Sequence, residues 1–141
     1  MEKLMSKWKL FLKENEDLLF GNCGMFAIAL AEEAQKRAIK DCGLIFVHNA
    51  ETDAELMYGD YSLYHVAFFI GDKIYDGRGE IKEKELIDFD SNIPQDAYID
   101  YFDLVNLDKM KSAIRRNTEW DSSCEHYEEK AKEFFDIGAY E

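Results

Sequence analysis

Apolar and polar positions divide the 141-residue chain into recognisable elements. Over residues 3–15, Leu4, Trp8, Leu10, Phe11 and Leu12 recur among charges at helical spacing, and Gly21 and Asn22 interrupt the pattern. A second helix is expected from about 23 to 40. Its first half, 25–31, is apolar nearly all round, and its second half carries Glu32, Glu33, Lys36 and Arg37. That contrast predicts a buried front and a partly exposed back, with Gly43 as a stop signal. Branched and aromatic residues mark LIFVHNA, 44–50, as a strand and HVAFFI, 65–70, as another. The polar run 51–63 between them reads as a loop. Gly71 and Asp72 form a turn, and KIYD, 73–76, is the returning strand of a hairpin. GRGE follows as a loop, EKELIDF as a short helix and AYIDYFDLV, 97–105, as a further strand. From Leu107 the pattern is helical again, to about 117 and then from about 122 to 135. Helices lead, an antiparallel sheet follows and helices close the chain, which is an α+β order. There is no repeat, low-complexity tract or internal boundary. The chain reads as one domain, 1–141, with 107–141 as a helical C-terminal extension.

Composition narrows the function classes. Nearly half of the residues are apolar, 47%, enough to build a core. Thirty acidic residues against 17 basic ones give a net charge of −13. A protein this acidic is not expected to bind nucleic acid directly or to sit on an anionic membrane, because both need Lys and Arg. It is suited to a basic protein partner. The N-terminal stretch mixes charges through its apolar positions, unlike a signal peptide. The nearly uncharged stretch 18–31 is too short to span a bilayer. Three cysteines, 23, 42 and 124, have neither the number nor the spacing of a disulfide framework or a zinc site. A cytoplasmic setting fits best.

The candidate chemistry centres on GNCGMFAIAL, 21–30. A thiol reacts as its thiolate, and a helix N-terminus lowers a thiol pKa through its exposed N–H groups and positive partial charge. Cys23 opens such a helix. Gly21 and Asn22 can turn the chain into it, and Gly24 removes bulk beside the sulfur. A thiolate needs a proton acceptor. Of His48, His65 and His126, His65 begins a strand directly after a loop, where a side chain can face a cleft. His48 lies within a strand and His126 within a helix, which suits packing or surface positions. If Gly71 and Asp72 make a two-residue turn, Ala67 stands opposite Asp76. His65 then shares a face with Asp76 as a diagonal neighbour, roughly 7 Å away at the β-carbons. Asp76 would orient the imidazole and stabilise its charged form.

This order, Cys, His, then Asp, resembles the papain-like cysteine peptidase superfamily in its broad sense. NCGMFAIAL is similar to the cysteine helix of papain-fold toxin domains and of the peptidase domains of bacteriocin exporters. HVAFFIGDKIYDGRG is similar to their following block. The resemblance covers roughly residues 17–80. It implies a papain-like core, with a buried cysteine-bearing helix packed on a small antiparallel sheet and the C-terminal helices added. It also implies a Cys23–His65–Asp76 triad that cleaves or transfers an amide or isopeptide bond of a protein or peptide, without a cofactor. Many members carry a glutamine several residues before the cysteine as an oxyanion donor. Here Asp17 stands six residues before Cys23, so Asn22 and backbone N–H groups are the candidate donors. Arg78, between two glycines, either binds a substrate carboxylate or is an exposed loop charge. A metal held by Cys23, His65 and Asp76 is chemically conceivable, but a helix-start thiol with a His–Asp pair suits nucleophilic catalysis better. The aromatic residues of YGDYSLY and AYIDYFDLV are expected in the core. A rival class is a non-enzymatic acidic protein that binds a basic partner, as a nucleic-acid mimic or inhibitor.

Overall fold

The computed structural model describes residues 23–76, 79–88, 91–117 and 125–136, with backbone alone at 23, 24, 79 and 125–127. The expected helix over 3–15, and with it Asn22, Arg78 and Cys124, lies outside the described residues. Among the described residues, five strands form one antiparallel sheet: β1 (Cys42–His48), β2 (Leu63–Ile70), β3 (Lys73–Asp76), β4 (Gly79–Ile81) and β5 (Tyr98–Asp103). Their order is β4-β3-β2-β1-β5. The helices are α1 (Cys23–Lys36), α2 (Asp53–Tyr58), α3 (Glu85–Asp88), α4 (Leu107–Asn117) and α5 (Glu125–Asp136). A 3-10 turn, Leu104–Asn106, joins β5 to α4. The α+β class follows. None of the described helices is long and apolar enough to cross a membrane.

β1 is buried along its whole length because both faces of the sheet are covered, so its sequence runs apolar without alternating. On one face, Leu44, Phe46, Val66, Phe68 and Tyr75 pack with α1, α4 and α5 in the larger core. On the other, Ile45, Val47, Ala67 and Ile74 pack with Leu86 of α3 and with Ile93. Arg37, just past α1, holds Glu33 and Asp136 of α5 at 2.8 Å each, and Lys111 of α4 reaches Glu32 at 3.3 Å. The charged back half of α1 thus ties the helical layer together.

Four expectations shift. GRGE, expected as a loop, enters strand β4 at Gly79, which pairs with Asp76. α1 ends at Lys36 rather than near 40, because Ala38 and Asp41 take left-handed conformations, φ 55° and 57°, and turn the chain back into β1. Gly43 is a residue of β1 and not a helix stop. The polar run 51–63 contains α2. Its start is chemically marked: the Thr52 hydroxyl accepts the Glu55 N–H at 3.0 Å, with Asp53 and Glu55 in the first turn. Thr-x-x-Glu is a capping-box spacing, legible in the sequence though its polar setting reads as loop. Thr52→Ala is expected to destabilise the protein by about 1 kcal/mol in urea unfolding, the ordinary cost of losing an N-cap.

Candidate active site

The β2–β3 hairpin turns through Gly71, which takes φ 60° and donates its N–H to the Asp41 carbonyl at 2.7 Å. Ile70 pairs with Lys73, Phe69 with Ile74 and Phe68 with Tyr75, the register of a two-residue turn. One step further along the hairpin, the same parity puts His65 and Asp76 on one face. They meet there: Nε2 of His65 lies 3.0 Å from Oδ2 of Asp76, and each side chain is only 1% exposed. A carboxylate only accepts, so Nε2 carries the proton of this bond and the lone pair of the neutral imidazole is on Nδ1.

The register also fixes where the pair sits. His65 stands opposite Val47, directly after an irregular step in the β1–β2 ladder at Tyr64. Val47 belongs to the core on the face away from α1, together with Ile45, Ala67 and Ile74. Helix α1 lies on the other face. A short connection joins the end of α1 to the start of β1, so the two elements run in opposite senses. The first residue of α1, Cys23, therefore lies toward the end of β1, and antiparallel pairing puts the start of β2 at that same end. Cys23 and the His65–Asp76 pair share one end of the sheet. Helix α1 and His65 lie on opposite faces of it. The Cys23 side chain itself is outside the described set.

No family model matches the chain, nor does any curated protein or solved structure.

The other cysteine in view has a different character. Cys42 is buried, and its thiol donates to the Ile39 carbonyl at 3.5 Å. Burial, and then the neighbouring Asp41 carboxylate, push its pKa up. It is a packing residue held in the thiol form. Among the described residues, no group of three or more His, Cys, Asp or Glu is placed to hold a metal ion.

Sequence reasoning missed a second pair. His48, expected to be packed or at the surface, is buried on the α1 side of the sheet, with Nε2 at 2.7 Å from Oδ2 of Asp100 on β5. The Ala50 N–H donates to its Nδ1 at 3.0 Å, so Nε2 carries the proton here as well. Both ring nitrogens are engaged, which removes His48 as a proton acceptor for a thiol. Phe46 stands opposite Asp100 and His48 opposite Tyr98 in the β1–β5 ladder. The only signal was period-2 spacing on two strands 52 residues apart, which no local pattern connects. The tyrosines of β5 also depart from expectation. Tyr98 and Tyr101 are exposed, because β5 is an edge of the sheet among the described residues.

Proposed function

We propose that the protein is a thiol-dependent hydrolase or transferase of the papain-like kind, acting on an amide or isopeptide bond of a protein or peptide. The observation that supports this reading most is the buried His65–Asp76 pair at the sheet end where the cysteine-bearing helix begins. Burying two ionisable groups costs several kcal/mol of hydration, and such pairs cluster at functional sites. In this reading Nδ1 of His65 takes the Cys23 proton. The thiolate attacks the carbonyl carbon, and Asn22 with the N–H groups at the start of α1 receives the oxyanion. The C–N bond breaks as His65 returns the proton to the leaving amine. Water or a second amine then attacks the thioester and restores the thiol. Asp76 orients His65 throughout, and Arg78 holds a substrate carboxylate. A reducing cytoplasm keeps such a thiol available.

The test is the rate of Cys23 alkylation by iodoacetamide against pH, with Cys42 and Cys124 followed by mass spectrometry. An activated Cys23 labels fast down to about pH 6, well below a free thiol's titration near 8.5. The advantage disappears in His65→Gln, while Cys42 stays slow in both proteins. Equal rates at Cys23 and Cys42, or a Cys23 profile unmoved by His65→Gln, overturn the reading.

A further inference from the structure

A cavity of about 390 Å³ lies where the end of β1, the chain leading into α2 and the start of β5 meet. We propose that it receives the side chain of a basic polypeptide, an Arg guanidinium or a Lys ammonium, bound along the β5 edge. This inference is independent of the thiol chemistry.

The walls define the ligand. Three carboxylates line the cavity, Glu51, Asp53 and Asp100, with the rings of His48 and Tyr98, and no Lys or Arg is among the lining residues. The two rings stand 5.8 Å apart between centroids, tilted by 55°. Asp100 is held by His48 through Oδ2, while its other oxygen has no partner among the described residues, and its side chain is about half exposed. His48 thereby positions a carboxylate at the mouth of the cavity. The Tyr98 hydroxyl donates to Glu51 at 3.4 Å and sets the opposite wall. Aromatic faces and carboxylates together suit an organic cation, through ring-face attraction and forked hydrogen bonds. An anionic ligand would be repelled. A bare metal ion does not fit, because these carboxylates do not converge as ligands. The volume is at the small end of ligand sites, matching one side chain rather than a large cofactor.

The surroundings select a polypeptide over a small amine. β5 is an edge of the sheet among the described residues, so its outer backbone groups can pair with an added extended segment. Tyr98 and Tyr101 are exposed along it. Asp96, Asp100 and Asp103 add negative charge to the same stretch, on a chain of net charge −13. Charge complementarity with a basic segment follows.

The experiment titrates a fluorescent peptide, Gly-Val-Arg-Val-Arg-Val-Gly, and its citrulline counterpart into the full chain at low salt and reads anisotropy. The Arg peptide is expected to bind at least about tenfold more tightly than the citrulline one, the worth of one charge-assisted contact. Glu51→Gln and Asp100→Asn each weaken it severalfold. Asp72→Asn, in the hairpin turn at the other end of the sheet, removes the same charge and leaves affinity unchanged. Cys23→Ser also binds normally, which separates this site from the thiol reading. Glu51 is an exposed loop residue, so its variant tests the site even if Asp100→Asn disturbs folding. The proposal is overturned by absence of binding, by equal affinity for citrulline, by Asp72→Asn weakening binding as much as Glu51→Gln, or by loss of binding in Cys23→Ser.

Discussion

His65→Ala is expected to destabilise the protein by about 3 kcal/mol, because it removes a buried hydrogen-bond donor to the Asp76 carboxylate and leaves a cavity. Both side chains are 1% exposed, so water cannot replace the lost imidazole at the Asp76 carboxylate without opening the core around it. The imidazole also leaves a void beside Val47, which adds to the loss. Asp76→Asn keeps the size and one acceptor oxygen and is expected to cost less than half as much. Urea unfolding of the two single variants and the double variant measures the coupling between the residues. A loss under about 1 kcal/mol for His65→Ala would mean that the pair is solvated and weak, like an exposed ion pair. That outcome would also count against the proposed role of His65 as the proton acceptor. In the proposed mechanism stability and thiol reactivity both draw on this contact, and Asp76→Asn separates them: stability falls modestly, while the negative charge that favours a protonated His65 is lost.

The hairpin was readable from sequence because its geometry is local. A two-residue turn at Gly71–Asp72 sets the parity of both strands, and parity alone brings His65 and Asp76 to one face. The apolar front of α1 and the helical spacing of α4 were readable for the same reason. What was not readable depends on contacts between distant segments. The His48–Asp100 pair needs β5 to lie beside β1, which no local pattern dictates. The exposure of Tyr98 and Tyr101 needs β5 to be the edge, and an aromatic strand looks alike at an edge and in a centre. The face on which α1 packs, relative to His65, is also set by the whole sheet. The order of residues along the chain does not carry that relation.

Gly43 shows the same limit in a single residue, and its replacement has the second large expected effect. A glycine after a helix reads as a stop signal, yet Gly43 lies in β1, between Phe69 of β2 and Asp103 of β5 in the ladders. A Cβ there would overlap the Phe102 carbonyl oxygen and sit 2.9 Å from Cε1 of the Phe69 ring. The ring could turn away. The carbonyl belongs to the backbone of β5, so the strand would have to move, and the β1–β5 ladder would open at its Gly43–Asp103 end. Gly43→Ala is expected to cost about 3 kcal/mol, at the upper end for overpacking, because the obstacle is main chain rather than a rotatable group. Gly43→Val adds two methyls in the same space and is expected to leave little folded protein. Hydrogen exchange on Gly43→Ala distinguishes this cause from a general loss of stability. Amides of β5 exchange faster than those of the β2–β3 hairpin, which does not depend on that strand. Equal acceleration across the sheet, or a loss below about 1 kcal/mol, would mean that β5 can shift to admit the methyl, and that its place beside β1 is not fixed by this close approach.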